Sequence, residues 1–270
     1  MSPAPKESKR TTKEKAAAAR AAAEAEQRRR DRRVRILGGI AVVVAVGLIF
    51  GAVYWNNSQQ SSAGTTSGTV ADAAVPTGVL TGTGSTPWGV PYNTAAGKPT
   101  LAIWEDFQCP SCGQFEQTHG ADVVKMADEG KVNLVWRPTA FLDARFAATS
   151  PNPNSSLAAA MAWGCAIDAG KAQQYHSVVF HNQPANEGDG YSQAQLLDFG
   201  KQAGITGDAY TTFETCVQSG IYRDWVNNSY QAFQDDGVPG TPTAYLNGTE
   251  VPSATLNDMT ALAKLIADNS

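Results

Sequence analysis

Twenty consecutive residues, Ile36 to Trp55 (ILGGIAVVVAVGLIFGAVYW), contain neither a charge nor a proline. A run this uniform would need a core around it that its polar flanks cannot supply. As a helix it reaches about 30 Å, the thickness of a bilayer's hydrocarbon layer. Tyr54 and Trp55 stand where an aromatic interface anchor belongs. The run also divides the charge. Residues 1–35 hold 12 of the 21 basic and 5 of the 25 acidic residues, net +7, which leaves 9 basic and 20 acidic, net −11, for the rest. Arg28, Arg29, Arg30, Arg32, Arg33 and Arg35 directly precede the span, so the positive-inside rule puts the N-terminus in the cytoplasm and everything after Trp55 outside. A cleaved secretory signal is the rival reading. The long n-region, the length of the apolar run and the lack of a nearby small-residue cleavage site oppose it. The expectation is an uncleaved signal anchor that crosses the cell membrane once.

The basic tail, residues 1–35, is rich in Ala, Glu, Lys and Arg without an apolar stripe, and its position beside a span favours lipid headgroups over nucleic acid. Residues 56–90 are Ser-, Thr- and Gly-rich and nearly uncharged, the composition of a flexible linker. Gly82 and Gly84 do not form a dinucleotide fingerprint, because Pro87 stands where the third glycine belongs. Residues 91–270 remain, enough for one domain with a real core.

That domain opens with Thr100-Leu-Ala-Ile-Trp-Glu-Asp-Phe107, which reads as a central strand buried on both faces. Cys109-Pro110-Ser111-Cys112 follows and leads into a helical pattern of Phe115, His119, Val123 and Met126 that stops at Gly130. A C-x-x-C at a helix N-terminus after a strand is a redox arrangement. The free N–H groups and the dipole favour a thiolate at Cys109, the expected exposed nucleophile, and Cys112, one turn further in, can resolve the mixed disulfide. Pro110 suits the first turn, where its missing N–H costs nothing.

Cys165 and Cys216 do not make a second C-x-x-C, so a four-cysteine zinc ribbon lacks its spacing, and no metal site is expected. Each cysteine lies on the apolar face of its own helical pattern: Leu157, Met161, Cys165 in one, Phe213, Cys216, Val217 in the other. Outside the membrane two inward-facing cysteines should pair, constraining the unfolded chain by roughly 3 to 4.5 kcal/mol. The alternative is two buried free thiols that never meet.

Lys131–Arg137 alternates like a strand, the stretch from about 150 to 236 reads as several helices, and Val238–Leu246 with Thr249–Val251 brackets Asn247-Gly248, a hairpin signal. Thr255, three residues before Asp258, resembles a capping box opening a last helix with the stripe Leu256, Met259, Leu262, Leu265 and Ile266. The segments Glu105-Asp-Phe-Gln-Cys-Pro-Ser-Cys112, Arg137-Pro-Thr-Ala-Phe-Leu-Asp143 and Gly240-Thr-Pro-Thr243 together resemble the DsbA-like thiol-disulfide oxidoreductases, especially the membrane-anchored actinobacterial type. The resemblance covers about residues 97–268. It implies an α/β thioredoxin-like fold with an α-helical insertion, a cis bond before Pro242, and Thr241 turned toward the sulfurs to meet an extended substrate strand. It also implies that Cys165 and Cys216 correspond to a second disulfide present in some members. Reduced exported proteins would be the substrates, and a quinone-linked membrane protein of the vitamin K epoxide reductase or DsbB type the reoxidant. No cofactor is called for.

Departures from the pattern narrow the reading. The family position six residues before the first cysteine, often acidic, is Ile103 here. Glu105 and Asp106 are the substitutes for tuning the thiol, and on a strand they point to opposite faces, so at most one approaches the sulfurs. The dipeptide between the cysteines is Pro-Ser, without histidine, which leaves the potential open. His119 reads as a hydrogen-bonded core residue, and His176 and His181 as surface or packing residues, since their spacing is not that of metal ligands. The expected activity is oxidation of thiols in exported proteins. Two alternatives remain: a reductase or isomerase of the same fold, and a peptide-binding or chaperone module without redox turnover.

Overall fold

The computed structural model describes residue 70, residues 72–82 and residues 84–270. The basic tail, the apolar run 36–55 and residues 56–69 of the linker lie outside the described residues, and among the described residues no helix is long and apolar enough to cross a membrane.

A five-stranded sheet in the order β1-β3-β2-β4-β5 forms the centre. β2 (Thr100–Glu105) and β3 (Asn133–Pro138) run parallel, and β1 (Val90–Pro91), β4 (Thr243–Leu246) and β5 (Thr249–Val251) pair antiparallel. Both central strands are buried from their second residue onward. The alternation expected for residues 131–137 is therefore absent. Leu101, Ile103 and Leu134 enter the main core, while Trp104, on the other face, packs with Ala232, Phe233 and Val238. Asn247 and Gly248 both take positive φ, +50° and +82°, which closes the β4–β5 hairpin as a tight two-residue turn.

After β2 the chain makes α1 (Pro110–Phe115), a π-helical segment (Glu116–Gly120) and α2 (Ala121–Asp128). α3 (Phe141–Phe146) follows β3, and then comes the insertion: α4 (Ser155–Asp168), α5 (Ala172–His181), α6 (Gln193–Gln202), α7 (Gly207–Ser219) and α8 (Arg223–Asp235). α6 starts at a capping box between Ser192 and Gln195. Cys165 of α4 and Cys216 of α7 form a disulfide across 51 residues.

Three expectations are corrected. The linker does not extend to residue 90. Val79 and Val90 are buried, the Val70 N–H bonds Asn228 Oδ1, the Thr77 N–H bonds Asp168 Oδ1, and Val90 pairs with Trp136, so the domain begins near residue 70. A few apolar residues spaced through a small-residue segment were enough to dock it. The closing helix is two helices, α9 (Ser253–Leu256) and α10 (Met259–Asp268). Asp258 caps the second itself, accepting from the Thr260 and Ala261 N–H groups at 2.9 and 3.1 Å, so Thr255 is not the cap. The π segment interrupts the regular stripe expected after Cys112, and His119 ends half-buried against the Phe115 ring rather than in the core.

Candidate active site

The Cys109 backbone caps α1 in an extended conformation, with Pro110 in the first turn, so its sulfur sits at the helix N-terminus. Both thiols are free. The site is roofed by the loop before β4, where the Thr241–Pro242 bond is cis and the Thr241 carbonyl oxygen lies 3.2 Å from Cys109 Sγ. Under this roof Cys109 is only 6% exposed and Cys112 is fully buried, while Pro110 and Ser111 face solvent. Cys109 thus lies just beneath the surface, not on it as expected.

The two sulfurs differ in charge preference. Cys109 is drawn down to about 6, first by the hydrogen bond from the Cys112 thiol, then by Thr241 and the N–H groups of Cys112 and Ser111, against burial, which acts the other way. Thr241 contributes in two senses. Its carbonyl can accept from a Cys109 thiol, whereas its hydroxyl, buried and without another partner, favours the thiolate. Cys112 is pushed well above the ordinary thiol range by burial and by the neighbouring charges of Cys109 and Glu105. A nucleophile that ionises readily therefore stands in front of a partner that keeps its proton.

The carboxyls at the end of β2 part as strand geometry requires. Glu105 turns toward the sulfurs, and its Oε2 lies 2.9 Å from His176 Nε2. Burial pushes it up to about 8. Asp106 turns the other way. It accepts from the Gln108 N–H at 2.9 Å, the Leu142 N–H at 3.1 Å and the Ser156 hydroxyl, and burial pushes it up to about 7. Asp143 continues this network, accepting from the Ser156 and Leu157 N–H groups at the start of α4 and from Gln108 Nε2. Asp106 thus holds the loop before Cys109 to the insertion, and it is not a neighbour of the sulfurs.

Sequence reasoning missed four residues that the fold brings to the site. Glu116 reaches it because the π segment turns its carboxylate over Gly120, where a Cβ would stand 2.3 Å from Glu116 Oε2. His176, read as a surface or packing residue, is 2% exposed and bonded to Glu105; His181 is the exposed one and donates to the Ser177 carbonyl at 2.8 Å. Gln183 Nε2 donates to the Phe107 and Cys109 carbonyls at 2.8 and 3.0 Å. The Tyr191 hydroxyl donates to the Phe107 carbonyl at 2.7 Å. Three of the four come from the insertion, and the only signal for Glu116 was the glycine four residues after it.

The parts together can carry thiol–disulfide exchange: an ionised sulfur, a second sulfur one turn away, and an open backbone edge at Thr241. Known proteins agree at the level of fold. The family described as thioredoxin matches residues 93–267. No curated protein matches the chain. Among solved structures, DsbA from Mycobacterium tuberculosis in its reduced form is 28% identical at a TM-score of 0.52, over 72% of this chain and 90% of that one. MdbA from Actinomyces oris, a thiol-disulfide oxidoreductase, is 22% identical at 0.55, over 69% and 90%. BdbD from Bacillus subtilis is 19% identical at 0.57, over 73% and 98%. With its family match spanning β2 to β5, the C-P-S-C helix, the insertion and the loop before β4, the chain belongs to the thioredoxin family, and its structural neighbours are DsbA- and MdbA-type thiol-disulfide oxidoreductases.

Proposed function

We propose that this protein is an extracytoplasmic thiol-disulfide oxidoreductase that introduces disulfides into exported proteins through Cys109 and Cys112. The observation that carries the reading is the contrast between the sulfurs, one held near the surface with its pKa lowered to about 6, the other fully buried with its pKa raised. A substrate thiolate attacks Cys109 Sγ of the Cys109–Cys112 disulfide, and Cys112 leaves. A second substrate thiolate then attacks the substrate sulfur of the mixed disulfide. The substrate disulfide forms, and Cys109 leaves with the electron pair. A low Cys109 pKa makes it a good leaving group and stabilises the reduced enzyme, which favours the oxidising direction. Thr241 and Pro242 border the sulfur and offer backbone to an extended substrate.

The location rests on sequence: the Ile36–Trp55 run with its arginine flank reads as a single-pass anchor, and the Cys165–Cys216 disulfide suits an oxidising compartment. Reoxidation falls to a membrane partner of the quinone-linked type, which tethering would concentrate near the domain.

The deciding measurement is the equilibrium potential of the Cys109–Cys112 pair in the full-length protein, titrated against glutathione with alkylation and mass as readout. A value near ~−120 mV supports the oxidant, and one near ~−270 mV reverses the direction of electron flow.

A further inference from the structure

The segment Arg137-Pro-Thr-Ala-Phe-Leu-Asp143 stands out in the sequence, yet the chemistry at the sulfurs gives its arginine no task. Arg137 lies on the Trp104 side of the sheet with its side chain only 3% exposed. A leucine or methionine would fill this place without the cost of burying a charge. The guanidinium instead makes three contacts. Its central carbon stands 3.7 Å from the centre of the Trp104 ring, Nη2 donates to the Pro87 carbonyl at 3.3 Å, and Nη1 donates to Asp236 Oδ2 at 3.0 Å. Nε, also buried, has no partner, so the placement serves the neighbours better than it serves the charge. Asp236 itself is 47% exposed, which leaves Arg137 as its tie to the domain interior.

Asp236 is the first residue after α8, and the roof over Cys109 follows at once: Gly237, Val238, Pro239 and Gly240, then the cis Thr241–Pro242 bond. Past Gly237 this loop is held by the Val238 N–H on the Phe233 carbonyl at 3.2 Å, by the Thr243 hydroxyl on the Gly240 carbonyl at 2.8 Å, and by the Thr241–Cys109 contact itself. Arg137 grips the loop at two points. It binds Asp236 directly, and by stacking on Trp104 it backs Val238, which packs with Trp104, Ala232 and Phe233. Beside the ion pair lies a cleft of about 480 Å³, lined also by Ser85, Thr86 and Tyr245, so a loop released from Arg137 has space to move into.

We propose that Arg137 is a positioning residue for thiol–disulfide exchange, a latch that acts through Asp236 and Trp104 to hold the Thr241–Pro242 edge beside Cys109 Sγ, where an extended cysteine peptide docks. The proposal rests on the thiol–disulfide reading of Cys109 and Cys112. The contacts of the latch go to Asp236, Pro87 and Trp104, none of them part of α1, so its release leaves both sulfurs on their helix. What shifts is the roof. A peptide substrate loses its backbone partner, and Cys109 loses a neighbour that favours its thiolate. Peptides therefore suffer more than a small dithiol, which must reach Cys109 Sγ but makes no use of the Thr241 edge.

The test is steady-state oxidation of an unstructured two-cysteine peptide by the full-length protein in detergent, with saturating glutathione disulfide as reoxidant. The rate at which dithiothreitol reduces the oxidised protein is measured beside it. Asp236→Asn removes the carboxylate at a half-exposed position, and Arg137→Met keeps much of the packing while removing the planar fork. Each should raise KM for the peptide by about fivefold or more, the size of one lost hydrogen bond, with smaller changes in kcat and in the dithiothreitol rate. Arg137→Lys, a point charge without the fork, should not restore KM, whereas Asp236→Glu, which keeps the carboxylate, should recover most of it. Arg137→Met combined with Asp236→Asn should be no worse than the worse single change, since one latch is broken only once. A wild-type KM in Asp236→Asn overturns the proposal. An equal loss in the peptide and dithiothreitol rates overturns it too, because that marks a general loosening of the fold. Should Arg137→Met not fold, Asp236→Asn alone decides. If the wild type exchanges with neither peptide nor dithiol, the thiol–disulfide reading falls and takes the latch with it, an outcome distinct from the other two.

Discussion

Gly113 and Gln183 provide a prediction whose sign depends on the background. Gly113 sits inside α1, where glycine costs about 1 kcal/mol relative to alanine, so Gly113→Ala should stabilise an ordinary helix. Here a Cβ would stand 2.0 Å from Gln183 Oε1 and 2.6 Å from its Cδ, and the three nearest atoms all belong to that side chain. The amide must leave, and with it go the bonds from Nε2 to the Phe107 and Cys109 carbonyls. Those two bonds are worth roughly 1 kcal/mol each. Gly113→Ala should therefore destabilise the wild-type domain by about 1 kcal/mol, Gln183→Ala alone by about 2, and Gly113→Ala in the Gln183→Ala background should stabilise by about 1. The assay is urea unfolding, under reducing conditions, of the fragment Thr69–Ser270, which forms a compact unit. The two changes are in contact and must couple. If Gly113→Ala has the same effect in both backgrounds, to within about 0.5 kcal/mol, Gln183 does not clamp the redox loop and the reasoning is refuted.

Two further outcomes follow from the charges. Glu105, Glu116 and Asp106 have folded pKa values of about 8, 8 and 7, above their unfolded values, so their contribution is full below about pH 4 and is lost as pH rises through 7 to 8. His176, lowered to about 4, acts in the opposite sense and loses its contribution as pH falls from 6.5. With Cys109 and Cys112 held as the disulfide, so that no thiolate titrates, the carboxyls outnumber the histidine and the fragment should lose stability between pH 5 and 6.5. Each net proton is worth about 1.4 kcal/mol per pH unit. A flat or rising profile in urea unfolding would show that these carboxyls are not held protonated. Replacing Thr241 by Val removes a buried hydroxyl that favours the thiolate, so the Cys109 pKa should rise, with Thr241→Ser restoring it; ultraviolet thiolate absorbance reads both, and an unchanged titration in Thr241→Val assigns the low pKa to the helix terminus and Cys112 alone.

How far the site was legible in the sequence depended on the distance over which its parts act. Thr100–Glu105 and Cys109–Cys112 are contiguous, and an apolar run followed by C-P-S-C at a helix start is read from local rules. Asn247-Gly248 gave the hairpin for the same reason, since two positive φ angles in a row select those residues. His176 carries no such mark. It lies 71 residues from Glu105, and at sequence level its helix position serves a surface histidine as well as a buried one. Residues 70–90 failed differently. Their composition is that of a linker, and what holds them to the domain comes from elements far along the chain: β1 pairing, the Asn228 and Asp168 contacts, the Trp225 and Arg137 bonds to the Trp88 and Pro87 carbonyls, and the core that buries Val79.

The insertion consequently has a larger role than a cap over a finished fold. The core strands and α1 supply the sulfurs and the Thr241–Pro242 loop, but most of the polar contacts that hold the redox segment come from α4 onward. Ser156 binds Asp106, His176 binds Glu105, and Gln183 and Tyr191 both take the Phe107 carbonyl, which as an unpaired buried acceptor would cost about 1 to 3 kcal/mol. Residues 105–109 are thus gripped along their length by one block of helices. That block is itself tied by the Cys165–Cys216 bond between α4 and α7. A change in how α4 and α5 pack would therefore reach the sulfurs through Asp106 and Glu105 without moving the sheet. Variation in the insertion is then a means of tuning the Cys109–Cys112 pair, even where the Cys-Pro-Ser-Cys segment stays the same.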